Sequence, residues 1–309
     1  MGKQSMNDVL GEIEIVHKPT AEIPWCGLKY TNPSDPAKFV TFVDKMGNIG
    51  RLREHRNAFL FRGQASSAWP LKPKIVRLLE GMPLEKALGY EFDAVCYFRE
   101  RAHLFVPGLL PDTEDFPEWL CLMQHFCAPT RMLDWSASFI VALYFAVFDE
   151  PQADSGAVWF FYHRPLWLRM LQNHPEPELK TNASEIFRDR SSFIEFGRNR
   201  ATPRLDGYIS DRKSDRATAQ RSVLTFCDQL LVDHAMVIGS SLLATADAEE
   251  GAALFKLTIA PEAKRFFRCY LSKLNVTAAT LFPGADGLGR TICETIRVER
   301  EADETTPSC

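Results

Sequence analysis

The 309 residues suit one large domain or two modest ones, and 46% hydrophobic content is enough to bury a substantial core. A formal net charge of −4 argues against a globally basic nucleic-acid binder and leaves room only for a local basic patch. The eight cysteines show no CxxC pair and no regular spacing, so they read as buried or free thiols of a reducing cytoplasm rather than a zinc site.

Residues 12–17 alternate polar and apolar, which predicts a half-exposed strand. Residues 36–54 predict a helix with Phe39, Phe42, Val43 and Met46 on one buried face. The apolar run at 58–62 predicts a strand that delivers Arg62, Gly63 and Gln64 at its end. A buried guanidinium must meet an anion or a carboxylate, and a glycine lets another group approach the backbone closely. The segment therefore reads either as part of a phosphate or nucleotide site or as a structural arginine–carboxylate pair. A short helix follows at 74–79, a long amphipathic one at 85–105, and another around Trp119–Gln124 that ends before Pro129.

The apolar run Phe139–Phe148 belongs to a predicted core helix at 138–148 and has about half the length needed to span a bilayer. Gly156–Tyr162 is of the type that fills a buried strand. Residues 165–215, rich in charge, Pro and Asn, predict loops around short helices. Strands at 222–226 and 254–259 and a helix at 261–275 close the pattern, and the acidic residues 301–309 read as a solvated tail. The N-terminus is polar and lacks an apolar signal core, so a cytoplasmic protein is expected, with no membrane partner.

Between two apolar helices, Gln124-His125-Phe126-Cys127-Ala128-Pro129-Thr130-Arg131-Met132-Leu133-Asp134-Trp135-Ser136 concentrates polar side chains in a connection, which is where sites tend to sit. His125 is a candidate general acid or base, or a hydrogen-bond donor; a satisfied histidine at a helix end is the competing reading. Arg131 and Asp134 can pair with each other, and Asp134 or Ser136 can cap the following helix. Trp135 offers a flat face for a base or nicotinamide, or is simply core.

Four segments together resemble the FRG domain, a bacterial family named for its Phe-Arg-Gly motif. They are Phe61-Arg62-Gly63-Gln64 with Trp69-Pro70-Leu71-Lys72-Pro73; Gln124-His125 with Pro129 through Ser136 and Ala142-Leu143-Tyr144-Phe145-Ala146; Gly156-Ala157-Val158-Trp159; and Thr280-Leu281-Phe282-Pro283 with Asp286-Gly287-Leu288. Cys127 stands where the family tends to have glycine. The resemblance implies an N-terminal elaboration over 1–54, an FRG domain over 55–298 and a tail over 299–309.

A more distant resemblance is to ADP-ribosyltransferases of the Arg-Ser-Glu type. It rests on the order Arg62-Gly63, then Trp135-Ser136-Ala137-Ser138 before an apolar helix, then Gln220-Arg221-Ser222-Val223-Leu224. It implies a single α+β domain with two small packed sheets flanked by helices, and NAD as co-substrate. Arg62, with Gly63, Gln64, Gln124, Thr130, Arg131 and Ser136, would form the cofactor site, and Trp135 or Tyr144 would flank the nicotinamide. Gln220, His125 and Asp134 are the catalytic candidates. Gln220 carries no charge, so either a carboxylate from elsewhere (Asp134, Glu195 or Asp206) stabilises the positive charge that develops on the ribose, or the chemistry is slow, or catalysis is lost.

Arg216 and Arg221 are candidates for binding phosphate or the acceptor, itself protein or nucleic acid. The basic residues Arg188, Arg190, Arg198, Arg200, Arg204, Arg212, Lys213, Arg216 and Arg221 form either a track for phosphates or a solvated mixed-charge surface. The implied function is a mono-ADP-ribosyltransferase, of the kind used as a toxin or in phage defence. The alternatives are an NAD glycohydrolase and a non-enzymatic nucleotide-sensing module. No metal is predicted.

Overall fold

The computed structural model describes residues 13–30, 36–48, 59–113, 115–163, 188–198, 203–210, 214–244 and 253–303. In chain order the elements are β1 (Ile13–His17), β2 (Trp25–Tyr30), α1 (Pro36–Asn48), β3 (Phe59–Gln64), α2 (Lys74–Leu78), α3 (Leu84–Phe105), α4 (Phe116–His125), β4 (Met132–Ser136) and α5 (Phe139–Val147). There follow β5 (Gly156–Tyr162), α6 (Arg190–Arg198), β6 (Leu205–Tyr208), α7 (Asp215–Ala219), β7 (Ser222–Cys227), α8 (His234–Leu243), β8 (Leu254–Ile259), α9 (Pro261–Lys273), α10 (Ala278–Leu281) and α11 (Ala285–Asp303).

The protein is α+β, but the expected pair of small sheets is a single one. The described strands form one eight-stranded sheet in the order β1-β2-β8-β5-β3-β4-β7-β6. β2 and β8 run parallel; the other neighbours are antiparallel. The sheet is continuous because β3 pairs on both sides, although very unequally. Phe59 to Gln64 register with Tyr162 to Ala157 of β5 along the whole strand, whereas β3 meets β4 at Phe61–Ser136 alone. One residue pair therefore joins a five-strand group to a three-strand group.

Successive side chains of β3 go to opposite faces. On one face Phe59 and Phe61 pack with Val158, Phe160 and the apolar helix α5. On the other, Leu60 packs with Trp159, Phe161, Trp135 and α8. β5 is buried at every position because both its faces are covered, which is why its sequence is apolar throughout. Each fully buried phenylalanine contributes about 2 kcal/mol of transfer free energy.

Gly63 is where α5 comes closest to the sheet: a Cβ there would lie 1.8 Å from the Ala142 carbonyl oxygen. Only a bare backbone permits that approach, so the glycine of the Phe-Arg-Gly motif serves helix packing. A third cluster, from α2, α3 and α4, covers Met132, Leu224 and Phe226 of β4 and β7.

β2, α8, α10 and α11 are elements beyond those expected from sequence, as are α6 and β6 in their detail within 165–215. Residues 49–54 of the expected first helix, residues 165–187 and the tail from 304 lie outside the described residues. Among the described residues no helix is long and apolar enough to cross a membrane.

Candidate functional site

The sheet opens at the seam between β3 and β4. Beyond the Phe61–Ser136 pair, a side chain replaces the backbone ladder: Arg62 Nη1 donates to the Asp134 carbonyl at 2.7 Å. A cavity of about 240 Å³ occupies this opening, and Arg62, Arg77, Arg216, Asp134 and Asp149 all reach it. Phe61, Val141 and Phe145 supply an apolar wall, and the exposed Trp69 also lines the cavity.

Three guanidiniums converge here, and Asp134 and Asp149 share the cavity without forming an ion pair to any of them. Among the described residues Arg62, Arg77 and Arg216 make no ion pair, whereas Arg131, Arg204, Arg268 and Arg297 each do. Arg62 Nε is buried and has no hydrogen-bond partner. Burial lowers the Arg62 pKa below its ordinary value; Asp134 and Asp149 oppose that shift and Arg77 adds to it.

Asp149, just past the end of α5, is open to solvent from the cavity but partly desolvated by the protein around it. That desolvation pushes its carboxyl up to about 6, against the pull of Arg290 and Arg62 and with help from Glu294 and Glu150.

Asp134 is held by a relay. Its Oδ2 accepts from Gln124 Nε2 at 2.7 Å, and Gln124 Oε1 in turn accepts from the Thr130 hydroxyl. The Gln124, Thr130 and Asp134 of the polar connection thus form one chain, with only Asp134 lining the cavity. Ser136 also lines it; its hydroxyl donates to the Gln220 carbonyl at 2.7 Å and accepts from Ser138 N at 3.0 Å. The turn that holds Gln124 and Thr130 passes through Cys127, whose φ of 61° is left-handed, a conformation glycine adopts freely.

Several residues expected at a cofactor site have other partners. Arg131 does not pair with Asp134: its Nε donates to Glu91 Oε1 at 2.7 Å, Nη2 binds the other Glu91 oxygen, and Nη1 donates to the Asp228 carbonyl at 2.7 Å. Burial alone would lower the Arg131 pKa, but the Glu91 carboxylate outweighs it and holds the guanidinium above its ordinary range. Gly63 and Gln64 line the cavity, but the Gln64 side chain is buried, accepting from Trp159 Nε1 at 2.8 Å and donating to the Pro70 carbonyl at 3.2 Å. This ties the strand of the first motif to Trp159 of the third and to the Trp-Pro-Leu segment.

Trp135 is among the residues that line the cavity, but it is buried, donates to Thr225 Oγ1 at 2.9 Å and packs edge-on to Phe161, so its ring is part of the core. Tyr144 is buried as well, its hydroxyl bound to Glu294 of α11.

Of the catalytic candidates, Asp134 and Gln220 line the cavity. The Gln220 side chain is engaged, Nε2 donating to the Leu281 carbonyl at 3.0 Å. His125 is half-buried outside the lining; burial, and then the charge of Arg216, lower its pKa. Arg216 lines the cavity but Arg221 does not; Arg221 sits in the turn before β7 at φ 49°.

Glu195 is exposed on α6, and Asp206 pairs with Arg204 at 3.1 Å. The described members of the basic stretch at Arg188, Arg190, Arg198 and Arg204 are ion-paired to Asp189, Asp93, Glu85 and Asp206, which favours a mixed-charge surface over a phosphate track. Arg200, Arg212 and Lys213 lie outside the described residues. Sequence reasoning missed Arg77 and Asp149, which no local pattern marks, and read Phe145 as part of a motif without giving it a place at the site.

A mixed sheet that splits around three convergent guanidiniums and two carboxylates defines an α+β protein with a polar, arginine-lined crevice. Residues 57–155, which include Arg62, Arg77, Asp134 and Asp149, match the family model of the FRG domain, and the chain contains an FRG domain. No curated protein and no solved structure matches the chain. Among the described residues no cluster of His, Cys, Asp or Glu could hold a metal ion.

Proposed function

We propose that the seam cavity binds the diphosphate of a nucleotide, NAD in first place, and that the protein transfers ADP-ribose from NAD to a macromolecular acceptor, protein or nucleic acid. One observation carries the reading: Arg62, Arg77 and Arg216 line a single cavity with no carboxylate partner among the described residues. Three guanidiniums without an ion-pair partner outnumber the two carboxylates at the crevice and suit an anionic ligand, and a diphosphate offers oxygens to several at once.

The reaction is supported by the resemblance in residue order to Arg-Ser-Glu transferases and by the two carboxylates at the cavity. In the transfer, the bond between nicotinamide and ribose breaks and its electron pair leaves with nicotinamide. The acceptor nucleophile bonds to the anomeric carbon and gives up its proton. Asp149, with its carboxyl near 6, suits the role of proton acceptor close to neutral pH. Asp134, fixed by Gln124, suits stabilisation of the positive charge on the ribose. With water in place of the acceptor, the same chemistry makes an NAD glycohydrolase.

A second reading has one observation in its favour. Gln220, which stands where the resemblance expects a carboxylate, is uncharged and tied to Leu281. That suits a nucleotide-sensing module without turnover.

Incubation of the protein with NAD labelled in the adenylate half, in the presence of cell extract, separates the readings. Label transfer that is lost in Arg62→Ala supports the transferase, and nicotinamide release without transfer supports the hydrolase. Nucleotide binding without either product sinks the enzyme reading, and no binding at all sinks the site.

A further inference from the structure

The Thr-Leu-Phe-Pro segment has no part in the cavity lining, yet it sits directly behind one of the three cavity arginines. The Arg216 guanidinium carbon lies over the Phe282 ring, 4.7 Å from its centroid, and Arg290 lies over the same ring at 4.9 Å. Phe282 is itself fixed. It packs edge-on against Phe145 of the cavity wall, with centroids 5.9 Å apart, and the preceding Leu281 carbonyl accepts from Gln220.

The α10–α11 unit that carries Phe282 is also pinned. Glu294 accepts from Ala278 N at 2.9 Å and binds the Tyr144 hydroxyl, and Thr291 Oγ1 accepts from Ala279 N at 2.7 Å. Arg62 differs: its guanidinium is drawn to the Asp134 carbonyl in the seam. Arg216 is thus the cavity arginine that is backed by an aromatic ring and held in place before any ligand arrives.

We propose that Arg216, positioned by Phe282, is a stacking platform for the planar ring of the bound nucleotide, while Arg62 and Arg77 take its phosphates. The proposal rests on the nucleotide reading above and divides that ligand between its two chemistries. A guanidinium is flat, weakly hydrated and stacks on π systems, whereas an ammonium of equal charge does not. Stacking of a base on such a surface needs no particular hydrogen-bond pattern, so the platform selects for an aromatic ring attached to a phosphate over phosphate alone. Because Phe282 and its supports are already ordered, little conformational freedom is lost on binding.

The test compares ADP-ribose with inorganic pyrophosphate by titration calorimetry on the wild type, Arg216→Lys and Phe282→Leu. Arg216→Lys keeps the charge and removes the plane; Phe282→Leu keeps apolar bulk behind Arg216 and removes the ring. Wild type is expected to bind ADP-ribose more tightly than pyrophosphate. In both variants ADP-ribose affinity is expected to fall about tenfold and pyrophosphate affinity by less than about threefold.

Equal losses for the two ligands would overturn the platform and make Arg216 a phosphate contact. Unchanged affinities in Arg216→Lys, or a wild type that binds pyrophosphate as tightly as ADP-ribose, would also overturn it while leaving the anion site standing. Failure of the wild type to bind either ligand would remove the nucleotide reading itself, and the platform with it.

Discussion

Replacing Arg131 by methionine separates a structural arginine from a cofactor-binding one. In the fold its guanidinium forks onto both oxygens of Glu91, and the two side chains are 3% and 1% exposed. Nη1 also donates to the Asp228 carbonyl at 2.7 Å and to the Cys227 carbonyl at 3.3 Å. Methionine leaves a buried carboxylate without its counter-charge, which costs about 3–5 kcal/mol, and orphaned carbonyls add about 1 kcal/mol.

A total of about 4–6 kcal/mol is a large share of the roughly 5–15 kcal/mol that holds a domain folded. Adding Glu91→Leu to Arg131→Met removes the stranded charge as well, and the double variant is expected to recover most of the loss. Urea unfolding of the wild type, both single variants and the double variant measures the cycle; titration with ADP-ribose under folding conditions measures the site. If Arg131→Met unfolds at the wild-type urea concentration and yet loses ADP-ribose binding, the structural reasoning is wrong and Arg131 belongs to the ligand.

Gly63→Ala should destabilise by more than about 3 kcal/mol, because its methyl would meet the Ala142 carbonyl at 1.8 Å and force α5 off the sheet; a melting temperature close to wild type would contradict that packing. His234 is 1% exposed, and burial, then the charge of Arg62, depress its pKa from 6.5 to about 3. Its contribution to stability is therefore intact above pH 6.5 and is lost as pH falls from there towards 3, at up to about 1.4 kcal/mol per pH unit. His234→Asn should flatten that part of the urea-midpoint profile, and an unchanged acid slope would rule His234 out as its source. If turnover is found, its acid limb should fall near pH 6, where the Asp149 carboxyl titrates, and Asp149→Asn should abolish the limb along with most of the rate; a limb that persists assigns it to another group.

Much of this fold can be read from the chain because several elements carry a strong local period. α3 and β5 are legible for that reason, the first from its apolar spacing over 85–105 and the second from its unbroken apolar run. α8 escapes because it is apolar on several sides and interrupted by Gly239 and two serines, so no face stands out. β2 escapes because Gly27 breaks a run of six residues.

At the site, sequence locates the residues better than it assigns their work. Arg131 looks like a ligand group because its partner, Glu91, lies 40 positions upstream on α3. Gln64 looks free because Trp159 is 95 positions away. Asp149 and Arg77 are ordinary charges at helix ends until the fold brings both to the seam. Residue types are local facts, whereas partners are made by the fold, and it is the partners that separate Arg62 from Arg131.

The single residue pair between β3 and β4 has a mechanical meaning. Eight strands bonded along their full length would behave as one plate, but here two leaves share a narrow bridge at Phe61–Ser136. Arg62 stands on one leaf and reaches the other through the Asp134 carbonyl, so a residue lining the cavity is also a stitch across the gap. A nucleotide held through its diphosphate by Arg62 on one side and through its planar ring by Arg216 on the other would act as a rivet, stiffening the molecule across that bridge. Recognition and the joining of the two leaves are then one event, and whatever removes the ligand also loosens the plate.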